Sequence, residues 1–183
     1  HAGRKGSTNV PWDEPGSVPP SAGGWQTVAP SAIAFDGYAT PRELTLDEIE
    51  EIKGQFAASA ERALGAGFDV IEIHAAHGYL VHQFLSPITN QRTDEFGGSI
   101  EKRAKYLVDI VKGIREAVGE EIPISVRFSA TDYRDDGFTV EQCAQVALLC
   151  EAAGADVFDI SSGGLTLGVK IPFGPGYQVP LAN

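Results

Sequence analysis

The chain contains no methionine and only two cysteines, Cys143 and Cys150, and each shortage excludes something. Seven residues apart on what reads as one helix, the two cysteines would lie about 10 Å apart along its axis, too far for a disulfide. They read instead as small apolar residues on a buried stripe, and reduced thiols fit a cytoplasmic protein. Basic residues are scarce too: 14 Lys and Arg stand against 25 Asp and Glu, for a formal net charge of −11. Nucleic acid and anionic membrane surfaces both require clustered cations; no basic stripe exists, so neither is an expected partner. No apolar run approaches the roughly 20 residues of a membrane helix, and the opening residues lack the basic and apolar regions of a signal peptide. A chain without methionine that starts at His1 and stops at Asn183 in an apparent loop is expected to be an internal piece of a longer protein.

Apolar residues are plentiful, 43% of 183 positions, enough to bury the core of one domain. Residues 1–41 are irregular and hold six of the eleven prolines (Pro11, Pro15, Pro19, Pro20, Pro30, Pro41). Because Trp12, Trp25, Ile33 and Phe35 give this stretch something to pack with, it reads as an ordered excursion flanking a site rather than a disordered arm. Thr45 with Glu48 three residues on forms a capping box. Leu46, Ile49, Ile52, Phe56, Ala60 and Ala63 then recur at helical spacing until Gly65 or Gly67, and a strand is expected at 69–74. A second helix from Ser99 carries Ile100, Ala104, Leu107, Val111, Ile114 and Val118 on one face, followed by a strand from Ile122 to Phe128. A third, from Thr139 with Gln142 as box partner, carries Val140, Cys143, Val146, Ala147 and Cys150 before a strand at 156–161. Helix and strand alternate, which predicts parallel strands joined by right-handed crossovers.

Parallel strands covered on both faces read as unbroken apolar runs, and these do not. Alternation puts Glu72 and His74 on one face, opposite Ile71 and Ile73. Ser125, Arg127 and Ser129 oppose Val126 and Phe128, and Asp159 and Ser161 oppose Phe158 and Ile160. An open doubly wound sheet has little use for three such polar faces, whereas a barrel can place an active site in the mouth of its interior. The expected fold is therefore α/β, part of a (β/α)₈ TIM barrel. A full barrel takes about 250 residues; the three strands here, with the tail of another at His1, would be about strands 3 to 6 with their helices. Residues 1–183 would form the central part of a single domain missing both ends.

The chemistry concentrates between Val70 and Gly98, where the strand VIEIH opens into a long loop, 77–98, carrying His77, Tyr79, His82, Asn90, Arg92 and Asp94. His74, Arg127 and Ser161 sit at the carboxyl ends of their strands, where such barrels keep their active sites. The histidines admit three readings. A metal site is conceivable, but HAAHGYLVH has neither a two-cysteine nor an HExxH spacing. The histidines could instead be hydrogen-bonded loop residues. Or His74 and His77 could be paired donors to one substrate oxygen, with Tyr79 as a nearby proton source. Arg127 could merely neutralise Glu72 or Asp159, or its permanent charge could stabilise an anion forming on a cofactor.

HAAHGYLVHQFLSPITNQRTDEFGGSIEKRAKY resembles the substrate-site signature of the old yellow enzyme family of FMN-dependent ene-reductases, in particular its bacterial branch with a His-x-x-His pair. HAGRK at 1–5, APSAIAF at 29–35, VRFSATDY at 126–133, DISSGG at 159–164 and PGYQVP at 175–180 agree in order. The resemblance implies a (β/α)₈ barrel holding FMN, reduced by NADH or NADPH and passing hydride from flavin N5 to an activated alkene. His74 and His77 would polarise a carbonyl or nitro oxygen, and Tyr79, whose phenol ordinarily titrates near 10, would protonate the adjacent carbon. Arg127 would stabilise the reduced flavin at its N1/O2 edge. A relative that reduces dienoyl thioesters or steroids and carries an iron–sulfur cluster is the alternative enzyme; a non-catalytic barrel module binding a metabolite is the alternative of another class. The resemblance further implies a homodimer or homotetramer, and an FMN phosphate site outside this stretch, so that these 183 residues alone would bind FMN weakly or not at all and be inactive.

Overall fold

The computed structural model describes residues 2–10, 12 and 14–183; the strand tail expected at His1 lies outside the described residues. Two short strands come first, Val28–Ala29 (β1) and Arg42–Glu43 (β2), paired in parallel. Helix α1 (Leu46–Gly65) starts on the full capping box: Thr45 Oγ1 accepts the Glu48 N–H and the Glu48 carboxylate accepts the Thr45 N–H. Gly65 still belongs to the helix, and Gly67, at φ +88°, turns the chain away. Strand β3 (Ile71–Ala75), helix α2 (Leu80–Leu85), helix α3 (Ile100–Val118), strand β4 (Ile124–Ser129), helix α4 (Val140–Ala152) and strand β5 (Val157–Ser161) follow.

One expected boundary and one expected cap differ for local reasons. Pro123 lacks an N–H, so β4 begins after it, while the Pro123 carbonyl still accepts the Ile71 N–H at 3.1 Å. At α4, Thr139 caps the Gln142 N–H, but the Gln142 side chain does not close the box, because its carbonyl oxygen accepts from Arg103 Nη2 at 3.4 Å. Helix α2 falls inside the stretch expected to be one long loop. All six of its residues are buried, so it has no polar face and hence no legible helical period.

Strands β3, β4 and β5 form one parallel sheet in that order, each bonded to the next in the chain. Ile73 and Ala75, with Ile124, Val126 and Phe128, turn one face into a core completed by Ile49 and Ala60 of α1, Leu107, Ile110, Val111 and Ile114 of α3, and Cys143, Val146 and Cys150 of α4. Helix α1 packs on α3 and α3 on α4. Consecutive parallel strands with their helices on one face are an arc of a (β/α)₈ barrel, and the described residues do not close it. Both cysteines lie in this core, where burial pushes their thiols up to about 12.

Candidate active site

The strand registers stack the polar face in rows. Glu72 lies beside Ser125 and His74 beside Arg127; Arg127 lies beside Asp159, and Ser129 beside Ser161. His74, Arg127 and Asp159 thus form one row, with Ser129 and Ser161 one step nearer the carboxyl ends. Of the two acids that could neutralise Arg127, Asp159 approaches it, Oδ2 lying 3.3 Å from Nε, while Glu72 accepts from Ser125 Oγ at 3.0 Å. Both side chains of the Arg127–Asp159 pair are about two-fifths exposed (39% and 42%), an exposure at which an ion pair contributes at most about 1 kcal/mol. The pairing therefore leaves the guanidinium field largely available to a neighbour.

After β3 the chain turns sharply through His77 (φ +57°) and Gly78 (φ +71°). Positive φ is uncommon for a residue with a side chain, and the His77 backbone is held there from several sides. Its N–H donates to Ser129 Oγ at 2.9 Å, and its carbonyl accepts from Lys5 Nζ at 2.7 Å. Lys5 Nζ also donates to the Gly164 carbonyl at 2.8 Å, and Ser129 Oγ to the Gly163 carbonyl at 2.8 Å. The turn after β3 is so clamped to the turn after β5. Two glycines permit the approach: a Cβ on Gly78 would lie 2.5 Å from the Gly164 oxygen, and one on Gly164 would lie 2.8 Å from His77 Cα.

This clamp brings three expected residues together. The His74 ring centroid lies 5.2 Å from that of His77 and 5.5 Å from that of Tyr79, the N-cap residue of α2. The Lys5 ammonium sits 4.8 Å from the centres of both the Tyr79 and Phe35 rings. Burial, then the charges of His77 and Arg127, lower the His74 pKa to about 4; burial and then Arg127 also lower that of His77. Both imidazoles are neutral at pH 7, and each carries one N–H. Burial, then Arg4, lowers Lys5 to about 8. His77 Nε2 lies 2.7 Å from Ser161 Oγ, to which Gln178 Nε2 donates at 3.1 Å.

The remaining polar residues of the 77–98 stretch do not join the cluster; they build its support. His82 is fully buried, accepting the Gly78 N–H at Nδ1 (2.9 Å), with Nε2 3.1 Å from Asp132 Oδ1. Asp132 Oδ2 accepts from Ser86 Oγ and the Phe138 N–H, both at 2.7 Å. Burial alone would raise the Asp132 carboxyl, but bonds from His82, Phe138 and Ser86 outweigh it and hold the group below the usual range. Asn90 Nδ2 donates to the carbonyls of Phe84 and Phe96, each at 2.7 Å. Arg92 pairs with Asp94 and donates to the carbonyls of Pro30 (3.0 Å) and Leu44 (2.7 Å). Arg92 therefore anchors the β1–β2 region, and Asn90 and Asp94 brace their own loop, instead of lining the site. Lys5, Ser129 and Gln178 also touch the site. Ser129 was legible as an inward strand residue; Lys5 and Gln178 lie in the family-like stretches HAGRK and PGYQVP, but neither is assigned a role in the site from the sequence.

Residues 3–175 match the family described as NADH:flavin oxidoreductase / NADH oxidase. The NADPH dehydrogenase of Listeria welshimeri is 48% identical over 184 residues, covering 100% of this chain and 49% of that protein. A solved 2-naphthoyl-CoA reductase in complex with 2-naphthoyl-CoA superposes with a TM-score of 0.76 at 39% identity, over 81% of this chain and 23% of that one. The old yellow enzyme homologue from Zymomonas mobilis superposes with a TM-score of 0.70 at 31% identity, over 87% of this chain and 45% of that one. The chain spans about half the length of the curated relatives it matches.

Proposed function

The chain belongs to the NADH:flavin oxidoreductase / NADH oxidase family, and from that premise we propose that it is the central part of a single FMN-binding barrel domain whose whole protein reduces activated C=C bonds of α,β-unsaturated carbonyl or nitro compounds. The observation that carries this reading is the convergence of His74, His77 and Tyr79 beside Arg127, on the sheet face opposite the core built with α1, α3 and α4. That face fits a flavin: it offers a permanent cation, only loosely engaged by Asp159, among neutral hydrogen-bonding groups. Bound FMN would supply the hydride chemistry that links NAD(P)H to the alkene.

The chain's own residues do the rest. Arg127 would hold the flavin by its charge. His74 and His77, neutral, would each donate an N–H to the substrate's carbonyl or nitro oxygen and stabilise the negative charge that gathers there during hydride addition. Tyr79 would give its O–H proton to the carbon next to the activating group. Losing one preorganised donor costs about 10²–10³ in rate, so His74→Ala or His77→Ala should slow turnover by that order and weaken phenol binding with it. Tyr79→Phe should slow alkene reduction while NAD(P)H still reduces the flavin. Retention of phenol affinity by the double histidine variant would sink this assignment.

A second reading is favoured by the likeness to the 2-naphthoyl-CoA reductase: a thioester-reducing relative with an iron–sulfur cluster, for which iron content and activity on an unsaturated acyl-CoA would decide. A colourless whole protein would point instead to a non-catalytic metabolite-binding barrel. No helix among the described residues is long and apolar enough to cross a membrane; with the acidic composition this supports a cytoplasmic enzyme. A homodimer or homotetramer is part of the proposal, and size-exclusion chromatography with light scattering tests it.

A further inference from the structure

We infer that Ser161, held by Gln178, is a positioning residue that selects the tautomer of His77 able to donate to the substrate oxygen. The inference rests on the substrate-binding role proposed above for His77. Ser161 Oγ lies between two partners: Gln178 Nε2 at 3.1 Å and His77 Nε2 at 2.7 Å. An amide nitrogen only donates, whereas a hydroxyl donates once and accepts twice. With Gln178 donating to the oxygen of buried Ser161, the one acceptor that the described residues place within reach of the hydroxyl hydrogen is His77 Nε2, 2.7 Å away, and pointing the hydrogen there leaves no buried donor unmatched. Gln178 is itself oriented by a second contact at 3.4 Å, to Ser162 Oγ, which also accepts the Tyr133 O–H at 2.9 Å. Donation thus runs from Gln178 through Ser161 to His77 and leaves the imidazole hydrogen on Nδ1.

That direction matters because only one hydrogen is available. Burial and the Arg127 charge keep the His77 ring neutral, and Nε2 is occupied, so Nδ1 is the atom left for a substrate. With the hydrogen there, the ring stabilises a developing oxyanion. With the hydrogen on Nε2, it would be spent on Ser161, and Nδ1 would turn a lone pair toward negative charge. The base of the ring is fixed as well: Ser129 and Lys5 hold the His77 backbone, and Gly164 packs against its Cα.

The discriminating variant is Gln178→Glu. A carboxylate only accepts, so it draws the Ser161 hydrogen to itself, obliges the Ser161 oxygen to accept from His77, and moves the imidazole hydrogen to Nε2. In the flavin-loaded whole protein labelled with ¹⁵N-histidine, two-bond ¹H–¹⁵N correlations should report the Nδ1–H tautomer at His77 and its reversal in Gln178→Glu. The same variant should bind a phenol about 10²-fold more weakly, the scale of one lost oxyanion donor. Ser161→Ala should weaken phenol binding about tenfold, the scale of one net hydrogen bond, and Ser161→Thr, which keeps the hydroxyl, should restore it. An Nε2–H tautomer in the unaltered protein overturns the inference outright, and that measurement decides even where a variant does not fold. Loss of phenol binding in His77→Ala with none in Gln178→Glu overturns this inference alone; retention in His77→Ala overturns the substrate role beneath it.

Discussion

Replacing Gly78 by alanine would put a methyl group 2.5 Å from the Gly164 carbonyl oxygen and 2.8 Å from Leu165 Cα, roughly 0.9 Å inside the 3.4 Å at which ordinary contact begins. Both obstacles are backbone, so no side chain can rotate out of the way. The substitution also places a side chain at φ +71°, a strain of about 1–2 kcal/mol. Gly67→Ala is the control: φ is +88°, yet its added Cβ meets nothing within 4 Å, so it carries the strain without the collision. The collision adds about 1–3 kcal/mol, as overpacking does. It is relieved only by pushing the His77–Tyr79 turn away from the Gly163–Gly164 turn. Since a shift near 1 Å in groups that orient a substrate costs about 10²-fold, Gly78→Ala should lower phenol affinity and alkene turnover by that order. Gly67→Ala should lose stability and keep both. Urea denaturation and phenol titration of the two variants of the whole protein measure the contrast, and equal behaviour of the pair would refute the close-packed-turn argument.

The buried support should be equally sensitive: Asp132→Ala leaves Ser86 Oγ and the Phe138 N–H without their acceptor, and each buried polar group so stranded costs about 1–3 kcal/mol, to be read in chemical denaturation. Asp132 also sets an acid limit. Its folded pKa lies below the unfolded value of about 3.9, so its stabilisation is fully present above that pH and is lost as pH falls through the folded value; Asp132→Asn should flatten this acid limb of stability. For His74 the direction is the same but the cause differs, because burial disfavours its charged form. Its folded pKa, about 4, lies below the ordinary 6.5, so the unfolded chain binds the proton first and stability declines as pH drops from about 6.5 toward 4. An NMR titration of the His74 ring should show a midpoint near 4, and a midpoint near 6.5 would contradict the buried, cation-flanked setting.

What could be read in advance divides along physical lines. Thr45 with Glu48, Ser99 and Thr139 announce helix starts because capping is local chemistry, and all three side chains accept the N–H three residues on. The polar face was legible because a strand alternates with period 2, and the registers set His74, Arg127 and Asp159 side by side. Helix α2 was not, because a helix buried all round has no amphipathic stripe. Nor were the roles of Asn90, Arg92 and Asp94: a polar residue in a loop looks the same from the sequence whether it meets a ligand or the carbonyls of Phe84 and Leu44. Contacts such as Lys5 to Gly164, 159 residues apart, are tertiary and leave no local mark.

The most direct test of the central claim is the visible absorption spectrum of the whole protein with and without p-hydroxybenzaldehyde, in the unaltered form and with His74 and His77 both replaced by alanine. The account predicts a flavin spectrum that gains a long-wavelength charge-transfer band when the phenol is added, and loses that band in the double variant while keeping the flavin. A flavin spectrum whose band persists without the two histidines would contradict it, as would a protein that carries no flavin at all.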